Sequence, residues 1–203
     1  MEKNIVILDI DGVLADYRLG LLYWIRQCFP KYAQQANTHL LRSDTWINHE
    51  SMEISYREWL GVLEMFRMSG GKRSIPVFEG ALELVNKCIL LQYKIILLTS
   101  RPIDIYSNIY RDTVEWLKDN RFTYNLLLWS KHKAEMIHKM GMIDEVVFAV
   151  DDEFSHIIDY TNLGILTYWV NWYNKSINCL NNKIIVVKDI KTIVYKLGEK
   201  KSG

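Results

Sequence analysis

Short, largely apolar runs recur along this chain at Ile5–Leu8, Ile95–Leu98, Leu126–Trp129, Val146–Val150 and Ile165–Val170, with a last candidate at Ile184–Val187. Each is bounded by polar or turn-forming residues and is too short for a helix. Such runs read as strands buried on both faces, the habit of parallel sheets. Helical spacing fills most of the intervals. Leu82, Val85 and Ile89 share a face before the second run, and Ile109, Thr113, Trp116 and Leu117 share one after it. A short helix opening at Lys133 would turn Met136, Ile137 and Met140 inward. The alternation predicts an α/β fold, a three-layer parallel sheet with helices on both faces.

The interval from Tyr17 to Ile75 breaks this rhythm and has no convincing strand. Leu21, Leu22, Ile25 and Phe29 form one amphipathic stripe, ended by Pro30. Tyr56, Trp59, Leu60, Leu63 and Phe66 form a second, stopped by Ser69-Gly70-Gly71. The predicted organisation is a discontinuous core, residues 1–16 and 76–203, carrying a helical insert at 17–75. An insert directly after the first strand is positioned to act as a lid over the strand ends.

With 203 residues, 49% of them hydrophobic, one domain with an insert can bury a full core. The formal net charge of +1 gives no general attraction to nucleic acid or a membrane surface. Cys28, Cys88 and Cys179 lack metal-ligand spacing and suit a reducing compartment rather than a disulfide framework. No apolar run nears the roughly 20 residues of a membrane span. The first strand begins too early for a signal peptide, so a cytoplasmic location is expected.

Three of the strand-like runs end in residues suited to phosphate chemistry. Asp9 and Asp11 follow the first, Thr99-Ser100-Arg101-Pro102 the second, and Asp151-Asp152 the fourth. Lys133 opens a helix between them, with Lys131 as a rival. In a parallel sheet these groups converge on one crevice. Two carboxylates so close repel unless a cation sits between them, which points to a hard divalent metal such as Mg²⁺. A carboxylate can attack phosphorus, a second can move protons, and a lysine can balance the added charge. Gly12 would let the backbone pass close to a ligand.

Plainer readings exist for each residue. Asp9 and Asp11 could be solvated turn carboxylates, Thr99 and Ser100 a helix cap, Lys133 an exposed lysine, and one of Asp151 and Asp152 a cap. Arg101 either binds an anionic group or pairs with Asp104 or Asp112. Trp46 lies outside both amphipathic stripes, beside Asp44, and is the candidate base contact. The histidines lack ligand spacing.

Asp9-Ile-Asp-Gly-Val-Leu-Ala-Asp16, Leu97-Leu-Thr-Ser-Arg-Pro102, Lys133 and Asp151-Asp152 resemble, in order, the four motifs of the haloacid dehalogenase superfamily of phosphohydrolases. The resemblance implies a Rossmann-like core, Mg²⁺ as cofactor and an aspartyl-phosphate intermediate. It makes Asp9 the nucleophile, Asp11 the general acid/base, Thr99 a phosphoryl ligand and Lys133 the stabilising lysine. Asp152, helped by Asp151, would complete the metal site beside Asp9 and the backbone carbonyl of Asp11.

Within the superfamily, Asp11 to Tyr17 and the return segment Pro76-Val-Phe-Glu-Gly-Ala81 are similar to the 5'(3')-deoxyribonucleotidases. That implies a (deoxy)nucleoside monophosphate as substrate. Ser100-Arg-Pro102 and the stretch Tyr110 to Leu117 are similar to the phosphatase half of phage polynucleotide kinases, implying a 3'-phosphatase on polynucleotide ends. No Walker-type kinase loop accompanies it. The cap, which supplies most contacts beyond the phosphate, puts the nucleotidase reading first. A non-catalytic protein binding a phosphate ligand on the same fold is the third reading.

Overall fold

The apolar runs build a six-stranded, all-parallel sheet in the computed structural model, which describes residues 3–36, 47–176 and 181–199. The strands are β1 (Ile5–Leu8), β2 (Lys94–Thr99), β3 (Leu126–Trp129), β4 (Val146–Asp151), β5 (Thr167–Val170) and β6 (Ile184–Val187). Their order is β3-β2-β1-β4-β5-β6, so β1 is flanked by β2 and β4. Chain direction across the sheet reverses there, and the carboxyl ends of these three strands border the crevice where open α/β sheets bind ligands. Every residue of β1 is buried, which is why its sequence is uninterrupted Ile-Val-Ile-Leu.

The helices are α1 (Tyr17–Cys28), α2 (Tyr56–Met68), α3 (Ala81–Leu90), α4 (Asn108–Asp119), α5 (Lys133–Lys139), α6 (Phe154–Asn162) and α7 (Ile190–Glu199). On one sheet face, Ile5, Ile7, Ile96 and Leu98 pack with Ala134 and Ile137 of α5 and Tyr160 of α6. On the other, α3 packs on β2 and on α7. Among the described residues no helix is long and apolar enough to cross a membrane.

The chain forms two compact units. One, comprising Met1–Ala15, Val77–Arg101 and Phe122–Gly203, holds the whole sheet. The other, comprising Asp16–Pro76 and Pro102–Arg121, is helical and contains α1, α2 and α4. Within the helical unit, Trp116 of α4 donates its indole N–H to the Ile75 carbonyl at 2.6 Å, and Asn108 donates to the Arg67 carbonyl at 2.8 Å. Asp16 caps α1 by accepting from the Leu19 N–H, and Ser55 and Glu58 form a reciprocal capping box on α2.

The helices exist where the spacing predicts, but three bury a different face. The buried residues of α2 are Trp59, Val62 and Phe66, while Tyr56 and Leu60 are exposed. In α3 the core takes Ala81, Leu84, Val85 and Cys88, leaving Leu82 and Ile89 outside. In α5 Ile137 is buried and Met140 is exposed. Helices apolar on more than one side leave the phase of the stripe to the neighbouring elements, which periodicity does not encode. The α4 face Ile109, Thr113, Trp116 and Leu117 is buried as expected.

Candidate active site

The sheet unit brings the strand-end residues together. Asp9 follows β1, and its N–H donates to the Val150 carbonyl of β4 at 3.0 Å, which ties the two strand ends. The Ile10 N–H donates to Asp9 Oδ1 at 2.7 Å. Lys133, the first residue of α5, reaches the same Oδ1 at 2.9 Å and Asp151 Oδ2 at 2.7 Å. Its side chain is 0% exposed, whereas Lys131 is exposed, so Lys133 is the lysine of the site. A lysine fully buried between two carboxylates is not a surface helix lysine. Its ammonium is held by paired charge.

Asp151 is held from several sides. Besides Lys133, its Oδ1 accepts from the Glu153 N–H at 2.9 Å and lies 3.2 Å from His156 Nδ1. The Asp152 carboxylate accepts no hydrogen bond from a described residue. It lies against Gly12, whose φ is +88°. A Cβ on Gly12 would sit 2.2 Å from Asp152 Cγ, so only glycine permits this approach. Asp9, Asp151 and Asp152 each offer a carboxylate oxygen within 4.8 Å of one another.

Thr99 ends β2, is buried, and its Oγ1 accepts from the Arg101 N–H at 3.3 Å. It caps no helix, since α4 begins beyond it at Asn108 with Ser107 at its N-cap position. Arg101 is buried and grips Asp11 in a fork, Nε to Oδ2 at 3.1 Å and Nη2 to Oδ1 at 2.7 Å. This carboxylate partner, Asp11, was not among those the sequence suggested. Ser100 is exposed. Trp46 lies outside the described residues.

The electrostatics follow from burial and proximity. Burial lifts Asp9 from 3.8 to about 6, with Lys133 pulling it down and Asp151 and Asp11 pushing it further up. Asp152 is raised well above 3.8 by burial and then by the charges of Asp151 and Asp9. Burial would raise Asp151 as well, but Lys133 and His156 outweigh it and hold it low. Lys133 stays above its ordinary value because Asp151 and Asp9 overcome its burial. His156 is likewise raised, its bond to Asp151 outweighing burial. Three carboxylates thus share one lysine, leaving a surplus of negative charge. A divalent cation fits this donor set, since it would be held by hard oxygen ligands and relieve the repulsion on Asp152.

Three contributors lacked a sequence signal of their own. His156 stands in the first turn of α6 and supports Asp151. Trp169 and Trp172 donate their indole N–H groups to the carbonyls of Asp152 and Gly12, at 3.0 and 2.8 Å. A buried indole needs an acceptor, so tryptophans at a strand end were the available hint.

No family model matches the sequence, and no curated protein sequence matches it. Solved structures do match its fold. A protein described as a beta-phosphoglucomutase from Thermotoga maritima has a TM-score of 0.63 at 20% identity, over 98% of this chain and 99% of that one. A protein described as a phosphatase from Clostridium difficile gives 0.62 at 19%, over 97% and 99%. A HAD-hydrolase from Bacillus subtilis, bound to magnesium and showing interdomain movement, gives 0.63 at 12%, over 98% and 100%. The fold is the α/β fold of the haloacid dehalogenase superfamily. The residues quoted from the four motifs lie at its strand ends and helix start.

Proposed function

We propose that the chain is a Mg²⁺-dependent phosphatase that hydrolyses a phosphomonoester through an aspartyl-phosphate on Asp9. The observation that carries this reading is the surplus of carboxylate around one buried lysine, Asp9, Asp151 and the half-buried Asp152 against Lys133. Haloacid dehalogenases share the fold. Displacing a halide from carbon, however, calls for neither a dication nor a proton donor, because halide is a stable leaving group. Phosphoryl transfer to a carboxylate calls for both.

When bound among Asp9, Asp151 and Asp152, with the Asp11 carbonyl nearby, Mg²⁺ supplies charge neutralisation for the phosphoryl oxygens. The remaining chemistry belongs to the chain. Asp9 Oδ1 is pinned by Ile10 and Lys133, which orients the carboxylate for attack by Oδ2 on phosphorus. The bond from phosphorus to the ester oxygen breaks, and that oxygen takes a proton from Asp11. Water then attacks the aspartyl-phosphate and gives a proton back to Asp11, releasing phosphate and restoring Asp9. Both Asp11 oxygens accept from Arg101, so Asp11 must loosen one of these bonds to carry a proton. Thr99 donates to a phosphoryl oxygen once its hydroxyl turns to the ligand. Ser100 and Arg101 are the adjacent substrate contacts.

The helical unit is the proposed cap, and the similarity of residues 11–17 and 76–81 to deoxyribonucleotidases points to a nucleoside monophosphate. Phosphate release should be measured with Mg²⁺ on deoxynucleoside 5'- and 3'-monophosphates, sugar phosphates and a 3'-phosphorylated oligonucleotide, with halide release from a 2-haloacid alongside. We expect mononucleotides to turn over fastest and Asp9→Asn to lose at least a thousandfold. Halide release without phosphate release, or full activity in Asp9→Asn, would overturn the proposal.

A further inference from the structure

The end of β5 and the turn after it carry two indoles three residues apart, and each is hydrogen bonded to one side of the same tight contact. Trp169 Nε1 donates to the Asp152 carbonyl at 3.0 Å, and Trp172 Nε1 donates to the Gly12 carbonyl at 2.8 Å. Gly12 and Asp152 are the pair whose approach leaves no room for a Cβ. Neither carbonyl belongs to a strand ladder; each peptide is held on its N–H side, Val13 donating to the Ile10 carbonyl and Glu153 to Asp151 Oδ1, and the indoles hold the carbonyl side. The donors themselves are fixed. Trp169 lies in β5, 2% exposed, with its ring against Phe154 at 4.9 Å. Trp172 stacks on Phe78, centroids 4.5 Å apart and planes 9° from parallel. Phe78 in turn donates its N–H to the Leu14 carbonyl at 2.9 Å, in the same loop as Gly12. The turn after Trp172 is locked by Asn171, which bonds the Lys175 N–H and carbonyl, each at 3.0 Å.

We infer that Trp169 and Trp172 are positioning residues, a two-pronged brace that sets the distance between the Asp11-Gly12 backbone and the Asp152 carboxylate and thereby tunes Mg²⁺ affinity. The inference rests on the metal reading above. The peptide held by Trp172 is next to the Asp11 carbonyl proposed to face the ion, and the peptide held by Trp169 is that of the carboxylate opposite. Groups that orient metal ligands from outside commonly affect affinity by tenfold or more. Trp172 is the better handle, because its ring is only half-buried and Phe preserves the stack on Phe78 while deleting the N–H.

The test is Mg²⁺ binding to the whole chain by isothermal calorimetry, with wild type, Trp172→Phe and Trp172→Ala compared at matched folding by circular dichroism. Phosphate release is measured in parallel as a function of Mg²⁺ and of substrate. The expected result for Trp172→Phe is about tenfold weaker Mg²⁺ binding, an equal rise in the Mg²⁺ needed for half activity, and an unchanged substrate KM at saturating Mg²⁺. Trp172→Ala should weaken Mg²⁺ binding at least as much. Wild-type affinity in a folded Trp172→Phe would overturn the brace while leaving the phosphatase reading intact. Equal losses in KM and Mg²⁺ affinity would assign Trp172 a general structural role and overturn it too. Absence of Mg²⁺ binding in wild type would overturn both readings.

Discussion

Asp152 carries more uncompensated charge than its neighbours, since Lys133 pairs directly with Asp9 and Asp151, while burial and the charges of Asp151 and Asp9 outweigh its weaker pull on Asp152. That predicts a trade of stability against function at one residue. Asp152→Asn should raise the melting temperature in EDTA by about 2–4 °C, roughly 1 kcal/mol for a chain of this length, and abolish the stabilisation given by Mg²⁺. The pH dependence follows from the same cluster. Asp9 holds a proton in the folded state up to about pH 6, whereas the unfolded chain releases it near 3.8. Metal-free stability therefore falls as pH rises between these values, and Asp152 acts in the same direction. Asp151 is lowered, so its contribution is complete above 3.8 and is lost only on further acidification. His156 is raised, so its contribution persists below 6.5 and disappears only above its higher folded value. Melting curves in EDTA should thus show greater stability at pH 5 than at pH 7, with Mg²⁺ removing most of the difference. A flat profile in EDTA would contradict this account of the cluster.

At the scale of elements, the loop after β1 shows what could be read from sequence and what could not. The inner strands β1, β2, β4 and β5 were legible because burial on both faces demands apolar runs, and the carboxylates at the ends of β1 and β4 were legible because charge next to such runs is costly. Lys133 is preferred to its rival Lys131 because it opens a helical pattern, and α5 points it inward between Asp9 and Asp151. Gly12 was recognisable as a point of close passage, but what passes close is Asp152, a residue remote in sequence. The Arg101–Asp11 fork and the two indole donors were hidden for the same reason, since pairing across a sheet edge has no periodicity. Gly12→Ala tests the loop as a unit. A left-handed φ costs an alanine about 1–2 kcal/mol, which the fold tolerates. The Cβ must also push the Asp152 carboxylate away. We expect a folded protein with a modestly lower melting temperature, at least tenfold weaker Mg²⁺ binding by calorimetry and about a hundredfold lower phosphate release. Wild-type Mg²⁺ affinity in this variant would show that Asp152 can retreat without leaving the metal.

At the scale of the molecule, a shared fold establishes the scaffold, and the chemistry has to be argued from the residues on it. The same scaffold supports proteins described as phosphatases and as dehalogenases. Its organisation also constrains which parts can be removed. The helical unit is built from two stretches, Asp16–Pro76 and Pro102–Arg121, so the chain passes between units at Ala15/Asp16, Pro76/Val77, Arg101/Pro102 and Arg121/Phe122. Helix α4 depends on the first stretch. Trp116, 0% exposed, gives its indole N–H to Ile75, Asn108 is bonded to the Arg67 carbonyl, and Arg73 pairs with Glu115 and Asp119. Replacing residues 17–75 by a short Gly-Ser linker would remove all of these partners at once. It would leave Trp116 without its acceptor and with part of its apolar cover stripped, a loss of several kcal/mol on the scale of a large aromatic. The shortened chain should therefore bind a hydrophobic dye strongly and lose its cooperative melt, rather than survive as a compact core with the cap excised. A sharp melting transition with no dye binding would show instead that α4 is held by the sheet unit and that the cap is a dispensable insert.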